Sequence, residues 1–276
     1  MSFWETVTIA CRGASGSDTL HCPMDSAQFL RITMAVWIAM GAFTFLLLLF
    51  VTAPYGRHSR PGWGPTVSAR LGWVLMEIVS PLAFLYFFLK GNSSPNPVTV
   101  LFVGLFLLHY ANRAVVYPFR LRGGGRPMAL SVVAMGALFN TVNGYLNGRY
   151  LNLFASRYPA GWLLDVRFLA GLALFAAGMY INLHSDGVLR SLRSGEEQRY
   201  QIPRGGFFEL VSCPNYFGEL LEWLGWACLC WSAAGLTFAI WTAANLVPRA
   251  VAHHRWYRET FPDYPEKRKA IIPFLL

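Results

Sequence analysis

Apolar residues run along this chain in long blocks, without the 3.6- or 2-residue rhythm of elements that bury one face and wet the other. Seven blocks, at about 28–53, 69–89, 98–119, 128–147, 164–183, 211–232 and 234–252, each approach the ~20 residues a helix needs to cross a bilayer. The stretches between them are short and carry turn signals such as GNSSPNP at 91–97 and RGGGRP at 122–127. The pattern predicts an all-α, polytopic membrane protein with seven transmembrane helices. Residues 1–27 form an N-terminal extramembrane segment in this reading, and residues 28–276 form one helical domain. Two more polar segments, 184–210 and 249–276, are expected to make a cytoplasmic polar cap over the bundle.

Composition agrees with this class. The chain is 55% hydrophobic and 13% charged, against about 25% charged for a soluble domain. Basic residues give the orientation, because positive loops stay cytoplasmic. Arg57, Arg60 and Arg70, then Arg120, Arg122 and Arg126, then Arg190, Arg193, Arg199 and Arg204, and the basic tail after 249 all fall on one side. The N-terminus is therefore expected outside or lumenal and the C-terminus cytoplasmic. The net charge of +9 reads first as this topology signal and second as affinity for anionic headgroups or a phosphorylated ligand; nucleic acid is excluded as a partner. Residues 1–27 lack the pattern of a cleaved signal peptide, so the first helix serves as its own insertion signal. Cys11 and Cys22 would lie on the outer face, where a disulfide is chemically permitted. Cys213, Cys228 and Cys230 read as packing residues.

Against this apolar background the polar residues inside spans stand out. Glu77 is the one acidic residue between Asp25 and Asp165, and an intramembrane carboxyl is costly enough to mark a functional site or a paired structural one. A partner for the structural reading is Arg113. A carboxyl kept neutral there donates a hydrogen bond to a substrate carbonyl. Tyr110, Arg113 and Tyr117 in LLHYANRAVVY are spaced to share a helix face. Asn140, Asn143 and Asn147 repeat that spacing, either to line a cavity or to bond between helices. Asp186, Arg190 and Arg193, with Asn182 one turn earlier, and Asn215, Glu219 and Glu222 in SCPNYFGELLEW place further charges at the cytoplasmic ends of spans. They point to a pocket for a ligand with phosphate and amide or ribose groups; an Asp186–Arg190 salt bridge is the plain alternative. His253, His254, Tyr257, Arg268 and Lys269 add a basic cluster suited to phosphate or to lipid headgroups. No metal is expected, since six histidines show no HExxH spacing and the cysteines no paired CxxC. No Rossmann glycine motif, Walker loop or nucleophile elbow occurs.

At GMYINLHSDGVLRSLR, RYQIPRGGFFELVSCPNYFGELLEW and HHRWYRETFPDYPEKRKAIIPF the chain resembles the membrane steroid 5α-reductase family, the 3-oxo-5α-steroid 4-dehydrogenases. The likeness runs from about residue 69 and is strongest over 160–276. It implies seven transmembrane helices, NADPH as cofactor, and reduction of the Δ4 double bond of a 3-oxo-Δ4-steroid to the 5α-dihydro product. It implies Glu77 and Tyr110 as the catalytic pair, polarising the 3-oxo group. The cofactor-binding set it implies is Arg113, Arg126, Asn182, Asp186, Arg193, Tyr200, Asn215, Glu219, Arg249, His253, Tyr257 and Arg268, mainly within 182–276. Met76 departs from the family, some members having Gln there, which bears on substrate preference, and the RGGGRP loop is longer than its counterpart. The expected partners are a steroid within the membrane and the bilayer itself, and the protein is expected to be a monomer of the bacterial inner membrane or the endoplasmic reticulum. Competing readings are a related reductase acting on an enoyl thioester or a sterol double bond, an isoprenylcysteine-type methyltransferase, and a non-enzymatic receptor or transporter.

Overall fold

The computed structural model describes residues 25–91, 93–122, 125–192 and 200–276. Cys11, Cys22 and Arg193 lie outside the described residues, so the disulfide expectation and one cofactor residue fall there. The fold is mostly helical, and each of the seven apolar blocks is a helical rod. These are α1 (Ser26–Phe50), α2 with α3 (Ala69–Glu77, Val79–Leu89), α4 with α5 (Pro97–Tyr110, Tyr117–Arg120), α6 (Leu130–Leu153), α7 (Val166–Ser191), α8 (Pro214–Cys230) and α9 (Ala233–Thr260). Four rods are long and apolar enough to cross a membrane: Ser26–Phe50, Ala69–Leu89, Pro97–Arg120 and Val166–Ser191. Of the other three, α8 has 17 residues and carries Glu219 and Glu222, while α6 carries Asn140, Asn143 and Asn147 and α9 carries Asn245 and Arg249, which reduce their apolar character. A two-stranded antiparallel ribbon departs from the all-α expectation: β1 (Thr66–Ser68) pairs with β2 (Pro127–Ala129) and joins the approaches to α2 and α6.

Two interruptions shape the bundle. Pro81 has no N–H to give the carbonyl of Glu77 four residues earlier, and the helix breaks at Ile78, immediately after Glu77. Asn140 of α6 fills the break by donating to the Met76 carbonyl at 2.7 Å. The second interruption is a π-helical stretch, Ala111–Val116, just before Pro118. Such wide turns occur often at functional sites, and this one carries Arg113.

Glycines set the closest approaches. Gly171 and Gly178 of α7 face Gly225 and Gly218 of α8 so closely that a Cβ on any of the four would press into the opposite backbone. Small residues at seven-residue intervals let two helix backbones meet in this way. Gly144 and Gly148 of α6 do the same against α3 at Ser80 and Phe84. An aromatic core of Phe84, Phe102, Phe106, Trp223 and Trp226 fills the space between α3, α4 and α8, with Phe84 and Phe106 stacked at 4.1 Å. Asn147 accepts from the Trp226 indole at 2.9 Å, so this member of the asparagine series bonds between helices.

The chain end folds back over the bundle. Lys269 and Ala270 accept from the backbone of Ser212 and Cys213, and Lys269 donates to Leu210. The Ser212 hydroxyl contacts the Tyr264 hydroxyl and His254, each at 2.6 Å. Segment 206–213 is thereby fixed at the head of α8.

Candidate active site

One cavity of about 590 Å³ opens among these elements, within the size range of small-molecule sites. Of the residues singled out from sequence, Glu77, Tyr110, Arg113, Arg126, Asp186, Tyr200, Asn215, Glu219, Arg249, His253 and Tyr257 all line it. Asn182 stands behind the wall, donating to the Asn215 carbonyl at 2.9 Å. Arg268 also lies off the wall: its buried guanidinium donates to the Pro203 carbonyl at 3.0 Å and reaches Glu209 at 3.5 Å.

At the inner end, Glu77, Tyr110 and Asn140 form a linked set. Asn140 donates to the Glu77 carboxylate at 3.4 Å, and its amide oxygen accepts from the Tyr110 hydroxyl at 3.4 Å. Arg113 sits 3.5 Å from Glu77 and 3.8 Å from Glu219, with its guanidinium over the rings of Trp73 and Tyr117. Arg113 thus stands where the structural reading expected a partner for Glu77, and the carboxyl also faces the cavity. The apolar wall around it comes from Met76, Met128, Met135, Phe139, Trp223 and Phe238, a surface suited to a flat hydrocarbon.

The opposite end is cationic and polar. Arg249 spreads one guanidinium over three oxygens, donating to the Tyr216 hydroxyl at 3.0 Å and to the carbonyls of Ala53 and Tyr55 at 3.3 and 3.1 Å. Arg57 donates to the Tyr257 hydroxyl at 3.0 Å and lies over the rings of Trp256, Tyr257 and Tyr200. Its Nη1 is buried without a hydrogen-bond partner. Asp186 accepts from Asn215 at 3.2 Å, across α7 and α8. Guanidinium groups for phosphates, with an Asn–Asp pair for hydroxyls or an amide, are the donor set a phosphorylated dinucleotide requires.

Comparison with known proteins accounts for this arrangement. Residues 126–276 match the family model described as 3-oxo-5-alpha-steroid 4-dehydrogenase. The steroid 5-alpha-reductase DET2 of Gossypium hirsutum is 49% identical over 240 residues, covering 84% of this chain and 92% of that protein. The chain belongs to the 3-oxo-5-alpha-steroid 4-dehydrogenase family. Two other members are the 3-oxo-5-alpha-steroid 4-dehydrogenases 1 of Bos taurus, 46% identical over 86% of this chain and 93% of its own length, and of Homo sapiens, 43% identical over 86% and 92%.

Sequence reasoning missed the segment 53–60. Tyr55 and Arg57 line the cavity, yet Arg57 was legible only as a topology charge. A signal was present in the glycine of APYGRH: Gly56 adopts φ +63°, a turn that carries Arg57 back toward the bundle. Tyr216 and His109, also on the wall, had no assigned role.

Proposed function

We propose that this chain is an integral membrane enzyme that reduces the Δ4 double bond of 3-oxo-Δ4-steroids to 5α-dihydro-3-oxosteroids with NADPH. The observation that carries the proposal is the shared cavity: its wall holds the polarising pair Glu77 and Tyr110 with Arg113 beside it, and also Arg57, Arg126 and Arg249. When bound, NADPH supplies a hydride for C5. Glu77, as a neutral carboxyl, and Tyr110 donate to the 3-oxo oxygen and stabilise the negative charge that develops on it, which preorganised donors in a dry site do well. Asn140 keeps the two side chains in register. Arg249, Arg57 and Arg126 hold the phosphates, and Asp186 and Asn215 orient the ribose or amide end. Arg193 and Arg268 complete the set through the cap. We further place all seven rods across the bilayer, with the N-terminus outside or lumenal and the C-terminus cytoplasmic, in a monomer.

The test is NADPH oxidation by detergent-purified protein with and without a 3-oxo-Δ4-steroid, with the product's mass and ring-junction stereochemistry determined. Steroid-dependent oxidation to a 5α-dihydro product supports the reading. NADPH binding with no steroid turnover redirects it to an enoyl or sterol double bond, and S-adenosylmethionine binding in place of NADPH replaces it with a methyltransferase.

A further inference from the structure

Reduction of an enone needs two hydrogens of opposite kind. The hydride goes to C5, and a proton must reach C4. Glu77 and Tyr110 serve the oxygen on C3, and the arrangement described so far assigns nothing to C4. His109, the neighbour of Tyr110 on α4, lies on the cavity wall and has no role in this scheme.

His109 is 6% exposed, and its Nδ1 lies 2.8 Å from the carboxylate of Glu222 on α8. Glu222 is 1% exposed and stands behind the histidine, off the cavity wall. A buried ion pair whose only task is to join two helices is replaceable by apolar residues at little cost, and ionisable residues inside a membrane mark function by default. The geometry is that of a carboxylate-oriented imidazole. The carboxylate holds one ring nitrogen and fixes the tautomer, leaving the other nitrogen for the reacting group. With Nδ1 turned to Glu222, Nε2 is the nitrogen left to the cavity. The ring has little freedom to turn away, because it meets Tyr110 edge-on at 4.9 Å and Trp223 at 4.5 Å.

We infer that His109, oriented by Glu222, is the acid that protonates C4. This rests on the steroid-reductase reading above. Hydride addition at C5 leaves an enolate over C4, C3 and the oxygen held by Tyr110. His109 acts as the imidazolium, with Nδ1–H on Glu222 and Nε2–H toward the cavity, and C4 takes the Nε2 proton: the C4–H bond forms, the N–H bond breaks with its electron pair returning to the ring, and the C3 carbonyl is restored. The neutral imidazole regains a proton from water at the polar end of the cavity. C4 is bonded to C3, so a donor beside the tyrosine that grips the C3 oxygen is in the right neighbourhood.

The experiment compares wild type, His109→Gln and Glu222→Gln. Three readouts are taken: NADPH affinity, isotope effects on kcat from D2O and from deuterated NADPH, and the face of C4 that receives deuterium when the reaction runs in D2O. Loss of a general acid is expected to lower kcat about 100-fold with NADPH affinity and the steroid KM within about threefold of wild type. Protonation then limits turnover, so the solvent effect rises and the NADPH effect falls toward unity. Deuterium, now delivered by water, loses its preference for one face. Glu222→Gln keeps the volume and a hydrogen bond while removing the charge, and it should move the same readouts less far. Isotope effects and C4 stereochemistry unchanged in both variants would overturn the inference, as would loss of NADPH binding in both, which would make the dyad a fold element. If wild type itself oxidises no NADPH with steroid, the functional reading fails instead.

Discussion

The rings of His58 and His253 stack at 4.9 Å, with Nε2 of one 3.2 Å from Nδ1 of the other. His58 belongs to the loop after α1 and His253 to α9, so the contact ties the first connection to the last helix at the polar end of the cavity. Burial, then the nearby guanidiniums of Arg249, Arg57 and Arg60, lower the His58 pKa from 6.5 to about 4. The unfolded chain takes up a proton that the folded chain refuses between those values, so stability is lost as pH falls through that window and is full above it. Thermal unfolding of the detergent-purified protein should show Tm level from pH 7 to 8 and falling from about 6.5 toward 4. His58→Asn should flatten that fall.

Glu77→Gln keeps the side chain's size and its bond to Asn140 while removing the acid. The amide still donates an N–H but is a far weaker acid than a carboxyl, so we expect kcat to drop about 100-fold, within the range for loss of an acid group, with NADPH affinity unchanged. Single-turnover oxidation and equilibrium NADPH binding separate the two effects. Full activity in this variant would dismiss Glu77 as the polarising group.

Arg249→Lys removes the planar fork that serves Tyr216, Ala53 and Tyr55 together. An ammonium reaches one of these oxygens well, not three. NADPH affinity should weaken by about tenfold or more, equivalent to about 1.4 kcal/mol, while the apolar end of the site keeps its affinity for a competing steroid. Titration with each ligand in turn measures the split.

Gly178→Ala places a methyl group against the backbone of Gly218 and Glu222. Overpacking of this kind commonly costs about 1–3 kcal/mol, and here the strain falls on the helix that carries Glu222. The variant should melt several degrees lower and lose activity. Gly104→Ala, where a Cβ meets nothing within 4 Å, is the matched control.

Much of this molecule was legible in its sequence because a bilayer imposes one rule on every span. The apolar blocks found the rods to within a few residues at most ends, and Glu77, Tyr110 and Arg113 stood out because polar residues are rare in such blocks. The break after Glu77 was encoded by Pro81 and the wide turn at Arg113 by Pro118, but their use in aiming side chains appears only once the neighbours are placed. Asn140 and Asn147 show the limit of spacing arguments. They share a helix face by period, yet one meets Glu77 and Tyr110 and the other the Trp226 indole. The segment at 53–57 was out of reach for another reason, since its contacts to Arg249 span nearly two hundred residues and no local pattern records them.

The first helix has one further consequence. Trp37 and Gly41 anchor it to Trp241, but beyond Gly41 none of its residues is fully buried, although Thr44 and Leu48 face the cavity. There the outward face of α1 is exposed, and the helix's own side chains stand between the chamber and its surroundings. A steroid arriving on that side is drawn from the lipid phase, so its occupancy follows mole fraction in the bilayer or micelle. Michaelis constants expressed per litre of buffer will then drift with the amount of detergent, and surface dilution, at fixed total steroid, becomes a kinetic variable of this enzyme.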